Sequence, residues 1–381
     1  MDNPRAAVLL RGLVTLLIAL TLSACDAPEP VTSLSLREAL SVDTTGFDRA
    51  EPGYRIQFPR DHGAHPGFYL EWWYLTGNLQ GPEGRPLGYQ FTIFRNALSP
   101  PQARAPSAGK WTTNQLYSAH LAISDPNNDS FVSEERFSRG ALGLACGCVD
   151  STGVRVWIEN WRMEGPEDLS ELRLRAEGQS IGLNLTLRPE KPVFLQGEAG
   201  YSAKGNQEGQ ASHYYSISRL RTTGTIRSGA ETIAVTGDSW FDREWSTSLL
   251  APDQRGWDWF SIQLADGRDL MLFRLRSDGG EDYMDGSLIG PGGEKLAFST
   301  AGTRMTPVRV WRSPETGSEY PVAWSLEIPD LDVRLDVEAQ MDRQELKTRV
   351  PYWEGMIRVS GEGPTGRLTG RGFLEMTGYG Q

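Results

Sequence analysis

The sequence predicts an all-β chain of two tandem antiparallel barrel or sandwich domains, and three observations carry that prediction. Apolar and polar residues alternate with period two in run after run. Ile181, Leu183, Leu185 and Leu187 alternate with Gly182, Asn184, Thr186 and Arg188, and Leu331 to Glu338 does the same. Such alternation gives a strand one apolar and one polar face. The 42 glycines gather in turn clusters such as Gly81-Pro82-Glu83-Gly84 and Asp278-Gly279-Gly280, so the runs are short and reverse often. A weak internal repeat lays Trp72 to Leu79 on Trp257 to Leu264, and Phe91 to Arg95 on Leu270 to Arg274. It ends by laying Tyr214-Tyr215-Ser216 on Tyr352-Trp353-Glu354. Shared order of three elements points to two domains of one kind.

The chain divides as follows. Residues 1–24 read as an export signal: Arg5 and Arg11 are followed by the apolar run Gly12 to Leu22, too short to span a bilayer permanently. Leu22-Ser23-Ala24-Cys25 resembles the lipobox of bacterial lipoproteins, which makes Cys25 the expected lipidation site. Two or three acyl chains on one residue give stable anchoring. Residues 25–50 are rich in Pro, Ser, Thr and acid and read as a tether. The first β domain is expected over 51–228 and the second over 229–381.

Composition narrows the function classes. The whole chain carries a net charge of −11, and about −12 once the net-positive signal is removed. An acidic surface argues against nucleic acid and against a basic lipid-binding patch. Cys146 and Cys148 are expected to pair in an oxidising envelope. The four histidines, His62, His65, His120 and His213, match no zinc spacing, so no metal is expected. No nucleophile elbow, phosphate loop or dinucleotide fingerprint occurs.

Candidate chemistry lies where tryptophan meets acid: Glu71-Trp72-Trp73-Tyr74, Trp240-Phe241-Asp242-Arg243-Glu244-Trp245 and Trp257-Asp258-Trp259-Phe260. Trp72 and Trp257 open their strands, where tryptophan often plugs a barrel end. In an extended 240–245, Trp240, Asp242 and Glu244 share one face, and Phe241, Arg243 and Trp245 the other. Two carboxylates on one face raise each other's pKa, as proton donation at neutral pH requires. The competing reading is a rim neutralised by Arg243 and Arg274.

Together with His65-Pro66, Tyr89-Gln90-Phe91, His120-Leu121-Ala122 and Leu374-Glu375-Met376-Thr377-Gly378-Tyr379, these segments resemble the AttH family. That family includes the carotenoid 1,2-hydratases (hydroxyneurosporene synthase, CrtC-type). The resemblance implies lipocalin-like domains and an apolar lipid or isoprenoid ligand. One branch implies an envelope lipoprotein that binds such a ligand beside an ABC-type permease, and this is the leading expectation. The alternative is a cofactor-independent hydratase, with Asp242, Glu244, Trp245 and Asp258 as catalytic candidates. Trp73, Tyr74, His120, Tyr215, Arg243 and Trp259 are the ligand-binding candidates. The hydratases carry histidine where this chain has Arg243, and arginine cannot cycle a proton at neutral pH. With the lipobox, that departure weighs toward lipid handling. Asp26 favours the periplasmic face of the inner membrane.

Overall fold

The computed structural model describes residues 43–103, 111–206, 209–247, 250–251 and 253–380. Cys25, the signal and the tether before Asp43 lie outside them. Strands and short 3-10 turns make up the described elements, with no α-helix among them.

The first sheet begins with β1 (Leu70–Gln80), β2 (Pro86–Ala97), β3 (Gln115–Asp125) and β4 (Ser130–Arg139). It continues with β5 (Ala145–Asp150), β6 (Gly153–Ile158), β7 (Trp161–Gly165), β8 (Leu172–Glu177) and β9 (Ile181–Pro189). The short β10 (Phe194–Leu195) and β11 (Tyr201–Ala203) and the long β12 (Ala211–Ser228) and β13 (Glu231–Ser246) complete it. The second sheet holds β14 (Gln254–Leu264), β15 (Asp269–Ser277), β16 (Tyr283–Ile289), β17 (Lys295–Leu296) and β18 (Arg304–Arg312). It also holds β19 (Glu319–Ile328), β20 (Val333–Ala339), β21 (Glu345–Leu346), β22 (Tyr352–Gly363) and β23 (Gly366–Met376).

Strand order in the first sheet is β4-β3-β2-β1-β13-β12-β9-β8-β7-β6-β5, and in the second β17-β16-β15-β14-β23-β22-β20-β19-β18. The two orders superpose: β14, β15 and β16 stand where β1, β2 and β3 stand, and β23, β22 and β20 where β13, β12 and β9 do. The internal repeat is therefore a repeat of topology. Each sheet curls on itself around its own core. In the first, the edge strand β4 meets the 178–181 turn through Glu134, whose carboxylate accepts the N–H groups of Gln179 and Ser180 at 2.9 Å. The carboxylate thereby satisfies the turn's backbone donors and ties the edge strand to it.

Alternation explains both cores. Ile181, Leu183, Leu185 and Leu187 of β9 point inward with Trp73, Leu75, Phe91 and Phe241. Phe260, Ile262, Trp324, Leu335, Trp353 and Leu374 fill the second barrel. Cys146 and Cys148 are joined by a disulfide within β5.

The expected division at 228/229 falls in the turn between β12 and β13, and both strands run in the first sheet. Gly229, at φ +59°, supplies the left-handed residue that this tight turn needs. β13 then pairs with β1 along its length, from Leu70 opposite Ser246 to Gln80 opposite Thr236. The change of sheet thus comes between Ser246 and Gln254.

Candidate functional site

The outer face of β1, β12 and β13 lies against the outer face of β14, β22 and β23. Between them sits a third apolar cluster that includes Tyr74, Tyr214, Trp240, Trp259 and Phe273, with Trp72 and Trp257 partly exposed at its edge. Trp72 and Trp257 therefore plug neither barrel. They belong to this middle layer, because their register turns them outward.

Strand alternation sorts the candidates into three places. Asp242 and Glu244 face the middle layer, as do Tyr74, His120 and Trp259. The shared face predicted for Trp240, Asp242 and Glu244 is present, and both acids are buried. Trp73, Tyr215, Arg243 and Trp245 point the other way, into the first barrel. Asp258 points into the second.

The acids in the middle layer have few cationic partners among the described residues. Asp242 Oδ1 accepts hydrogen bonds from Ser216 Oγ and from Trp240 Nε1 at 2.7 Å, and Oδ2 accepts one from Tyr214 Oη at 2.9 Å. Gln196 Nε2 holds Ser216 Oγ at 2.8 Å. Burial pushes the Asp242 carboxyl up, these three donors pull it back, and it stands at about 7. Oδ1 is occupied twice and Oδ2 once, so Oδ2 is where a transferable proton has room.

Two further carboxylates face Asp242 from the second sheet. Tyr74 Oη donates to Glu354 Oε1 at 2.5 Å, and Glu354 Oε2 accepts no hydrogen bond among the described residues. Burial and the neighbouring Glu375 hold the Glu354 carboxyl well above the usual range. Trp257 Nε1 donates to Glu375 Oε1 at 2.8 Å. Burial lifts Glu375 to about 7, with Asp242 adding to the rise. Glu244 differs, because Lys204 Nζ lies 2.9 Å from its Oε1. That ammonium also rests 4.4 Å from the Phe273 ring centre.

His120 reaches this layer from β3. Its Nδ1 is 2.8 Å from Tyr352 Oη and its Nε2 is 3.1 Å from Glu135 Oε1. Tyr74 and Trp240 each meet the Trp259 ring edge-on, at 5.3 and 6.2 Å between centres. The arrangement is a set of protonated or protonatable carboxyls walled by aromatic rings.

The candidates inside the barrels are engaged in ion pairs, hydrogen bonds and ring contacts there. Arg243 donates to Glu71, and its guanidinium lies 4.0 Å over the Trp73 ring. Trp245 stacks on His65 at 4.0 Å, and Tyr215 Oη meets His62 Nδ1 at 2.6 Å. Arg243 and Trp245 are thus separated from Asp242 by the sheet itself. Trp245 and Trp259 do not line one site, since the period of two puts Trp245 on the inner face. The departure from histidine at position 243 falls inside the first barrel and does not touch the carboxyl cluster. Asp258 is bound by Arg274 Nη2 at 2.7 Å and by Tyr379 Oη at 2.8 Å, an ion pair inside the second barrel. The expected neutralising rim is therefore half right: Arg243 and Arg274 do neutralise acids, but these are Glu71 and Asp258.

Glu354, Glu375 and Tyr214 were missed as site residues. The internal repeat carried the signal. Tyr74 pairs with Asp242 across β1 and β13, and its repeat mate Trp259 pairs with Glu375 across β14 and β23. Ser216, beside Asp242, corresponds in the same way to Glu354 beside Glu375.

A family model described as AttH-like matches residues 49–379. The crystal structure of an AttH from Nitrosomonas europaea is 36% identical and superposes with a TM-score of 0.76, covering 87% of this chain and 100% of its own. Kievitone hydratase from Nectria haematococca shares the fold at a TM-score of 0.66 and 15% identity, over 87% of this chain and 95% of its own. Dehydratase asqC from Emericella nidulans is 23% identical over 227 residues, 55% of this chain and 62% of that protein. Kievitone hydratase from Fusarium solani subsp. phaseoli is 21% identical over 220 residues, 55% of this chain and 61% of that protein. The chain spans about three-fifths of the length of these two curated relatives.

Proposed function

Because this chain belongs to the AttH-like family, by a match over residues 49–379, we propose that it is a hydro-lyase that adds water to, or removes it from, an apolar isoprenoid-type substrate. The observation that carries the reading is the buried Asp242 carboxyl, held near 7 without a cation at hydrogen-bond distance among the described residues. Relatives named as a hydratase and a dehydratase support it, since the two activities are one reaction run in opposite directions.

The chemistry follows from the residues. Protonated Asp242 gives its Oδ2 proton to one carbon of the double bond. A C–H bond forms, the π bond breaks, and a tertiary carbocation is left. The faces of Tyr74, Tyr214, Trp240 and Trp259 carry negative quadrupole charge that stabilises such a cation. Water then attacks the cation and gives up a proton. General acid catalysis of this kind contributes about 10²–10⁴-fold.

The lipobox-like run ending at Cys25 supports a place for this chemistry: a chain tethered on the periplasmic side of the bacterial envelope, with Asp26 favouring the inner membrane. An ABC-type permease as a partner belongs to the same proposal. Simple carriage of a lipid would need the anchor and the aromatic layer but not the buried acids, which is why chemistry is preferred.

The test is incubation of the wild type with acyclic isoprenoid hydrocarbons (squalene and lycopene, in detergent micelles) in oxygen-18 water. Mass spectrometry should find a labelled tertiary alcohol, and Asp242→Asn should lower its rate about 10²-fold or more. Lack of turnover by the wild type on both probes, or full activity in Asp242→Asn, would sink the reading.

A further inference from the structure

The second sheet presents its own carboxyl pair to the middle layer, at the position that the topological repeat makes equivalent to Asp242. Glu375 and Glu354 are directly opposite each other on β23 and β22, and directly opposite residues on one face of a sheet keep their Cβ atoms about 5 Å apart. Tyr74, the cross-strand partner of Asp242, is hydrogen-bonded to Glu354. Asp242 beside Tyr74 and Glu375 beside Trp259 therefore face one aromatic cluster, in which those two rings meet.

We propose that Glu375 is the base that takes the proton from the attacking water, and that Glu354 and Tyr74 form the route by which that proton returns to Asp242. This assignment rests on the hydro-lyase reading above. The step balances: Asp242 loses a proton to carbon, and water forms the C–O bond and loses a proton to Glu375. The protein is then restored by moving one proton from Glu375 to Asp242, with no external reductant, oxidant or metal.

The surroundings separate the two glutamates. Glu375 receives a hydrogen bond from Trp257, which favours its ionised form, whereas Glu354 Oε2 has no donor among the described residues and its carboxyl stays protonated well above the usual range. The Asp242 charge raises Glu375, so ionising the one disfavours ionising the other. Among the described residues, the other titratable groups facing the pair are Tyr74 from β1, Tyr214 from β12, Glu244 with its Lys204, and Tyr352 from β22 with His120 against it. A proton donor and a proton acceptor that coexist near neutral pH are what an acid–base hydro-lyase requires.

The experiment is a pH–rate profile with squalene micelles, run also in heavy water. In the wild type the rate rises as Glu375 ionises and falls as Asp242 loses its proton, giving a bell. Glu375→Gln should lower hydration about 10²-fold or more and abolish the fall of rate on the acid side. In heavy water it should still place deuterium in recovered alkene, because protonation by Asp242 precedes water attack. Asp242→Asn should show neither alcohol nor deuterium. Trp257→Phe keeps the carboxylate but removes its donor, and should shift the acid limb to higher pH. Glu375→Gln acting at the wild-type rate with its acid limb intact, or an unshifted limb in Trp257→Phe, overturns the assignment and leaves the hydro-lyase reading standing. Full activity in Asp242→Asn overturns the reading itself.

Discussion

Glu71 and Asp242 are both buried, lie on adjacent strands of one sheet, and differ in everything that decides what a buried acid does. Glu71 faces the first barrel. Burial pushes its carboxyl up, but Arg95 and Arg243 together with His65 hold it well below the usual carboxylate range. Asp242 faces the middle layer and has only neutral donors among the described residues, so burial wins and it stands at about 7. The first acid is a fixed charge that organises His65, Arg95 and Arg243. The second can exchange a proton. Partner chemistry, more than burial, separates a buried carboxyl held ionised from one held near neutral pH.

The largest effect should come from breaking the structural side of that contrast. Arg243→Met leaves Glu71 with Arg95 and His65 and should cost about 3–5 kcal/mol in urea unfolding. A loss under about 1 kcal/mol would mean that the pair is not integral to the first barrel.

The pH dependence of stability separates the two acids next. Asp242 has its folded pKa raised, so its contribution is full below about 4 and is lost as pH rises through about 7. That loss is on the order of 4 kcal/mol, because each pH interval of one between the unfolded and folded pKa values is worth about 1.4 kcal/mol. Asp242→Asn should remove it, so the variant gains on the wild type between about pH 4 and 7. Glu71 has the opposite sign: its contribution is full above its unfolded pKa and fails as pH falls. Denaturant midpoints across this range check both signs. Parallel curves for wild type and Asp242→Asn would contradict the contrast.

Asp258→Asn is the control for the second barrel. It removes one member of a buried pair with Arg274 and should cost about 3 kcal/mol, with no change in hydration rate per folded molecule. Loss of chemistry without loss of stability would return Asp258 to the site. The smallest effect is expected of Trp72→Phe, at the partly exposed edge of the middle layer. It should cost under about 1.5 kcal/mol and raise KM with little change in kcat. A fall in kcat alone would place Trp72 among the groups that act only in the transition state.

Much of this was legible in the chain. Alternation at 181–187 and 331–338 fixed which faces are apolar, and the repeat of Trp72 to Leu79 at Trp257 to Leu264 gave two sheets of like topology. The same alternation separated Asp242 from Arg243. What alternation could not say is that two faces buried against each other need not be barrel interiors. Asp242 and Glu375 lie on outward faces that become buried only when the second sheet packs on the first, a contact between residues more than a hundred positions apart. For the same reason the 228/229 boundary failed: β12 and β13 look like the end of one domain and the start of another until β1 is seen between β2 and β13. Arg243 misled for a simpler cause, since its position beside Asp242 in sequence puts it on the opposite side of the sheet.

Everything proposed for the middle layer turns on whether Asp242 carries an exchangeable proton near neutral pH. Infrared difference spectra of wild type against Asp242→Asn, taken at steps from about pH 5 to 9, read that proton directly through the stretch of a protonated carboxyl group. A band that Asp242→Asn lacks should be present and should fade with a midpoint at about 7. A carboxylate signal from Asp242 already complete at about pH 5, as for an ordinary exposed aspartate, would contradict it.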